Sequence, residues 1–542
     1  MSDLPGRGSR GTAGTWLGLR RGTLVALVAI AVLLVPLALL SLPADAESAG
    51  GLLARQRRAY GLSQANLGEI DPTSETIRLA TLGLKNIAVT LLWDRANHYK
   101  KVEDWTNLSA TLEQMTKLQP NFYTVWDFQA HNLSYNISVE FDDYHDRYAW
   151  VMKGIEFLRQ GIGYNTNEPR LFGRMGWFIG QKIGKADEKV QYRRLFKDDN
   201  DFHERDRKGG RVPADRDNWL VGREKYLEGQ QLVDKGAPLR TTALIFHSEP
   251  MMTAINHARA IEEEGVFGNV ARDAWAQAGS DMMKFAEREI PTTWNVPIQL
   301  LMRETKLTRA EQLQGELEAL LPGQFAALEA KLRDGLSDAQ KAALAVPPAD
   351  RTEDQAKTAY EATVATAVNW PMVARQAPAD ARGKARQLAA EYVEAAETAE
   401  IIARYREIVN FDYWKAACEA EVTEAALEAR EQTWLAGQEF DAARLQNARK
   451  AYETAFASWR KVLDSSEILR NDQIGNDELV EVIFKYRRLL EQLDEPFPVP
   501  FILQDVLTRA PAPPEPPADQ PRQRPEPPQR PIPIPDGFEP AK

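Results

Sequence analysis

The chain has 542 residues, enough for two or three domains with cores of their own. Its 78 acidic against 67 basic residues give a formal net charge of −11, which argues against nucleic acid as the main partner. A single cysteine, Cys418, excludes an internal disulfide framework and any cysteine-rich metal site.

Residues 1–21 carry Arg7, Arg10, Arg20 and Arg21 against one acid, Asp3, and read as a basic cytoplasmic N-terminus. Residues 22–43 hold no charge, and about 20 apolar residues cross a bilayer as a helix. Ala44-Asp45-Ala46 has the small-x-small form of a signal cleavage site, yet the apolar run is longer than an ordinary signal-peptide core. The expectation is an uncleaved single-pass transmembrane helix, with a signal peptide cleaved after Ala46 as the alternative. Arginines before the run, and Asp45 and Glu47 after it, keep the N-terminus in the cytoplasm. The bulk of the chain is then expected on the periplasmic side of a cell inner membrane.

Residues 47–83 form a polar lead-in, and residues 84–184 read as helical repeats. Leu84, Ile87, Leu91, Ala96 and Tyr99 are spaced as one helical stripe; Asp104 is an N-cap for a second helix carrying Trp105, Leu108, Leu112 and Met115. Pro120 stops that helix. Read as the closing proline of a tetratricopeptide unit of about 34 residues, it puts Ala96 at the small position between the two helices. Leu108 occupies the second small position, so the match is partial. A further pair follows, with Phe122, Trp126, Ala130, Leu133 and Ile137 on one helix and Tyr144, Tyr148, Val151, Ile155, Leu158 and Ile162 on the other, closed by Pro169. Next, Gly176, Gly180 and Gly184 recur four apart and each weaken a helix by about 1 kcal/mol, so close approach of a neighbouring helix is expected.

Residues 185–218 are dense in charge and broken by Gly209-Gly210 and Pro213, which reads as an exposed excursion. The repeats resume over 219–297, with Met251, Ile255, Ala258 and Ile261 facing Val270, Ala274, Ala278 and Met282. Residues 298–425 are rich in Ala, Glu, Arg and Lys, with capping boxes at Thr308/Glu311, Ser337/Gln340 and Thr352/Gln355, and suit long exposed helices or a stalk. A helical pair is expected over 426–495, and a disordered Pro-rich tail over 496–542, where half of the 32 prolines lie. The fold class is therefore all-α: a tetratricopeptide-like α-solenoid between a transmembrane helix and a Pro-rich tail.

The chemistry-bearing residues are few. Asp142, Asp143, His145 and Asp146 form the best local metal-ligand cluster, and Asp198, Asp199, Asp201, His203 and Glu204 a second. Neither has the order of a calcium loop, and solvated N-capping aspartates explain both as well. No nucleophile elbow, phosphate loop or His-Glu-x-x-His occurs. Three sequons, at Asn107, Asn132 and Asn136, fall in predicted helices. The aromatics that miss the apolar stripes, Tyr123, Phe128 and Tyr135, are the candidates for contact with a partner.

Four stretches carry a resemblance: residues 91–97 (Leu-Leu-Trp-Asp-Arg-Ala-Asn), 104–114, 118–122 (Leu-Gln-Pro-Asn-Phe) and 217–222 (Asp-Asn-Trp-Leu-Val-Gly). Together they resemble a poorly characterised family of membrane-anchored, repeat-like proteins of planctomycete-type bacteria. Some members are labelled for an iron-responsive element, an RNA structure that nothing in this sequence addresses. The resemblance implies architecture and an envelope setting, and no catalytic residue. The expected function is a non-enzymatic scaffold that binds protein or peptide partners without a cofactor. The alternative is a metal-dependent envelope enzyme using Asp142, Asp143 and His145.

Overall fold

Stripes of apolar side chains at helical spacing recur through the chain, and each is buried against its neighbour in the computed structural model. The structure describes residues 85–239, 244–292 and 296–509, with the isolated positions 32, 52, 55 and 56. The apolar run 22–43 and the tail from residue 510 thus lie outside the described residues, Val32 apart. Among the described residues the fold is all-α and no helix is long and apolar enough to cross a membrane. Among the described residues a single β-bridge occurs, in which Ile290 and Ile298 exchange backbone hydrogen bonds of 2.7 and 3.0 Å. Two units divide the chain, one ending at Val422 and one beginning at Thr423.

In the first unit, α1 (Lys85–Lys101) and α2 (Trp105–Leu118) form a hairpin. Asp104 caps α2, accepting from the Asn107 side-chain amide at 2.7 Å and from its backbone N–H at 3.1 Å, and these bonds draw its carboxyl below the usual range. Ala96, Leu108, Leu112 and Met115 are buried together, as expected. The stripe of α1 has a different phase, however. Val89, Leu92 and Trp93 face the core, while Leu91 is 66% exposed. Leu91-Leu92-Trp93 offers both phases, and the ring of Trp93, packed on Phe122 and Phe128, decides between them.

Next come α3 (Tyr123–His131), a π-helical turn (Asn132–Ile137), a 3-10 turn (Ser138–Glu140) and α4 (Tyr144–Tyr164). The Pro120 carbonyl accepts from the Trp126 indole (2.8 Å) and the Asn165 amide (2.9 Å), so the turn after α2 is clamped from both sides. α5 (Pro169–Trp177) runs into a second π-helical turn (Phe178–Lys182). Its glycines do face a neighbour: a Cβ on Gly176 would stand 2.8 Å from the Gly222 carbonyl oxygen.

That neighbour is reached through α6 (Lys189–Asp198) and α7 (Asn200–Asp206) and is α8 (Asn218–Asp234). The segment 185–218 differs from the expectation of an exposed excursion. Tyr192, Phe196, Phe202 and His203 enter the core, and Arg193 is buried with all its nitrogens engaged. Nε meets Glu264 (2.7 Å), Nη1 Asn218 (2.6 Å) and Nη2 Asp217 (2.9 Å). Part of the charge of this stretch is thus an internal network around Arg193, Arg211 and Asp217, while Arg194, Asp198, Asp201, Glu204, Arg207 and Lys208 remain exposed as expected.

α9 (Leu244–Glu263) and α10 (Asn269–Glu287) form another hairpin. Met251, Ile255, Ala258 and Ile261 are buried as read, but on α10 Val270 is exposed and the core face runs Ala271, Trp275, Ala278, Met282 and Phe285. The next helices, together called the arm, share a core of their own. α11 (Arg303–Leu320) pairs with α16 (Arg382–Ile408), and α12 (Gln324–Asp334), α13 (Asp338–Ala345), α14 (Glu353–Thr366) and α15 (Trp370–Gln376) lie between them in the chain. Ion pairs Glu304–Arg406 and Arg309–Glu391 show that α11 and α16 are antiparallel. Ser337 and Thr352 form the expected capping boxes; Thr308 instead lies inside α11. α17 (Phe411–Glu421) returns to pack on α10. Cys418 is buried there, its thiol pushed up to about 12 by burial and by Glu421 and Glu419.

The second unit has its own core. α18 (Glu424–Asp441) pairs with α19 (Leu445–Ser465), followed by α20 (Glu467–Asn471), α21 (Gln473–Gln492) and α22 (Gln504–Arg509). Tyr452, Phe456, Ile483, Tyr486 and Leu489 fill it. So do Phe501, Leu503 and Val506, which corrects the start of the Pro-rich tail: residues 501–509 belong to the folded unit.

Candidate functional site

Two surfaces of the first unit bring chemistry-bearing side chains together. One is an open groove of about 720 Å3, whose residues come from α2 (Ser109, Glu113), the first π-helical turn (Leu133), α4 (Tyr148 to Gln160) and the α6–α7 region (Asp199, Arg205). Its floor is the buried ring of Tyr148, whose hydroxyl reaches toward Asp199 at 3.5 Å. Burial and the Asp199 carboxylate raise the Tyr148 phenol well above its usual range, so it stays a neutral hydrogen-bond donor. Trp150 and Phe157 form the walls, Trp150 under the Lys153 ammonium (3.7 Å) and Phe157 against Trp126 (4.7 Å between centroids). Lys153 and Glu113 stand exposed at the rim. This arrangement offers aromatic faces and charges of both signs to an elongated ligand.

The second surface is the meeting of the two π-helical turns. His131, Tyr135 and Trp177 stack in a row, with centroids 4.7 and 5.6 Å apart. The Lys182 ammonium lies 4.4 Å from the Tyr135 ring, and Arg174 stands over Trp177 while its Nε holds Asp127 at 2.6 Å. Burial lowers the pKa of His131 and Lys182 and raises that of Tyr135.

Each of the three aromatics singled out from sequence is half-buried and carries a cation. Tyr123 lies under Arg170 (3.9 Å), Phe128 under Lys100 (4.9 Å) and Tyr135 under Lys182. They do not form one groove: Phe128 packs on the first hairpin, Tyr123 and Tyr135 on the next core. Of the residues lining the 720 Å3 groove, Tyr148 and Leu133 were read only as stripe positions and Asp199 only as a member of the second acidic cluster, and the others were missed. Their signal was the outward half of α4, where Trp150, Lys153 and Glu156 alternate with core positions.

Among the described residues no group of three His, Cys, Asp or Glu side chains is placed to hold a metal. Asp143 turns back on its own helix, accepting from the His145 backbone N–H (2.7 Å) and meeting His145 Nδ1 (3.0 Å), while Asp142 points to solvent. In the second cluster Asp199 caps α7 and His203 is buried with Nε2 on the Phe196 carbonyl (2.8 Å). Asp198, Asp201 and Glu204 are exposed and do not converge with them. Among the sequons, Asn132 is buried and bonded to Gln129 and Asn136.

No family model and no curated protein matches the chain.

Proposed function

We propose that the chain is a membrane-anchored, extracytoplasmic helical-repeat scaffold that binds protein or peptide partners in the cell envelope. The observation that carries this reading is the aromatic-walled groove on the α2–α4 face. It is lined by residues from successive helices and offers aromatic faces together with charges of both signs. The run 22–43 supplies the anchor and the arginines before it the orientation. The resemblance to membrane-anchored repeat-like proteins supports the same setting. The Pro-rich segment from Pro511 provides a second recognition element at low ordering cost.

The test is crosslinking in intact cells, comparing the full-length chain with Trp150→Ala/Lys153→Glu. Partners recovered by the first and lost by the second support the groove; identical partner sets at equal yield reject it. Topology is checked separately with protease on spheroplasts, which should digest the portion after residue 46. Protection of that portion, with a C-terminal reporter active in the cytoplasm, would reverse the orientation.

A further inference from the structure

We infer that the junction of the two π-helical turns docks an acidic peptide segment, with Lys182 taking a carboxylate and the His131–Tyr135–Trp177 row receiving the segment's flank. The surface shares no residue with the 720 Å3 groove and is independent of what the groove holds.

Charge is the first argument. The chain as a whole is acidic, at −11, yet this face gathers Lys100, Arg174 and Lys182 around His131. The acid beside His131, Asp127, is already held by Arg174. Lys182 is half-buried, and among the described residues it has no carboxylate within ion-pair distance. Of the two acids that act on it, Glu188 is held by Arg147 and Asp187 is exposed to water. An ammonium drawn partly out of water without a counter-ion gives up hydration that a carboxylate arriving from outside would replace.

Shape is the second. A π-helical turn is rare and uses weaker hydrogen bonding than an α-helix, so two facing each other need a reason. Here each widens its helix so that Tyr135 and Trp177 come ring to ring and Lys182 folds over Tyr135. The result is a stack of three rings with Arg174 over its Trp177 end and Lys182 over its middle ring, Tyr135. An extended chain bearing carboxylates can address both cations; a small inorganic anion would meet only one.

The test uses the full chain in a nonionic detergent and a fluorescein-labelled decapeptide of Glu, Asp and Tyr, followed by anisotropy. Saturable binding is expected, weakening as salt rises from 50 to about 300 mM. A matched peptide with Lys in place of the acids should not bind. Lys182→Gln should weaken binding about tenfold, as expected for loss of one charge-assisted hydrogen bond, and Lys182→Arg should keep it. Tyr135→Leu should weaken it further. Melting curves of the variants, read by circular dichroism, show which of them are folded, and Lys182→Gln, at a half-buried surface position, keeps the test available if Tyr135→Leu unfolds. Equal affinity of wild type and Lys182→Gln, binding of the Lys peptide, or no saturable binding at all would overturn the proposal. So would displacement of the peptide by sodium phosphate, at matched ionic strength, as effective as that by unlabelled peptide.

Discussion

At single positions, the packing between helices sets what the chain tolerates. Ala96 is 2% exposed and lies against Leu108, Leu112 and Met115, so there is no room for a longer side chain. Ala96→Leu is expected to cost about 1–3 kcal/mol through overpacking, seen as a fall in thermal midpoint. An unchanged midpoint would mean that the α1–α2 contact is misplaced. Glycines give a paired measurement. A Cβ on Gly176 meets the backbone of Gly222, which cannot step aside, whereas a Cβ on Gly163 in α4 meets nothing within 4 Å. Gly176→Ala should therefore destabilise, by about 1–3 kcal/mol, while Gly163→Ala should stabilise by up to about 1 kcal/mol. The same chemical change thus acquires opposite signs, and urea unfolding of the two variants side by side checks it.

Among the elements, α6 is the least expected. Its Arg193 side chain is 4% exposed and ties α6 to the start of α8 and the end of α9, through Asp217, Asn218 and Glu264. Arg193→Met strands those acceptors in the interior and is expected to cost about 3 kcal/mol or more, softened by Lys197, which still reaches Glu264 at 2.8 Å. Lys189→Met, one turn away on an exposed pair with Glu263, should cost under about 1 kcal/mol. Comparable losses from both would show that the Arg193 network is not internal. This contrast also marks the limit of what the sequence discloses. The stripes on α2, α4 and α9 were legible because burial of one helical face repeats at a fixed spacing. The fate of 185–218 was not, since a run of Arg, Asp and Glu looks alike whether it faces water or pairs inside. Register failed where the pattern was doubled, at Leu91-Leu92 and Val270-Ala271. Of the site, Tyr135 was legible as an aromatic off the stripe. Lys182 was not, because only the π-helical turns bring it over that ring.

For the whole molecule, the buried histidines lower stability as pH falls, while Glu228 and Glu249, whose carboxyl pKa burial raises, act in the opposite sense. His247, 5% exposed between Gln230 and Phe246, is held down to about 4 by burial and by Arg288, with Asp234 opposing. In the unfolded chain it takes a proton near 6.5, so below that pH the unfolded state binds the proton first. The stability that depends on neutral His247 is complete above about 6.5 and is lost progressively down to about 4, by up to about 3 kcal/mol. His203 and His257 are shifted in the same direction by burial, so they add to the loss. A melting midpoint that falls between pH 6.5 and 4, and falls less in His247→Gln, is the expected result. A midpoint flat over that range would contradict it.

The arm of α11 and α16 has a consequence for how the chain is made. α11 ends at Leu320 and its partner begins at Arg382, so the ribosome must add about 60 residues before the pair can close. At roughly 5–20 residues per second, α11 waits about 3–12 s with Ala310, Leu313 and Leu317 uncovered. Its other turns are studded with Arg303, Glu304, Lys306, Arg309, Glu311, Glu316 and Glu318. A waiting helix written this way presents little to an aggregating neighbour, and the intervening segment begins to fold locally at its Ser337 and Thr352 caps. The late arrival of α16 then closes the core that α11 shares with Leu328, Trp370 and Val373.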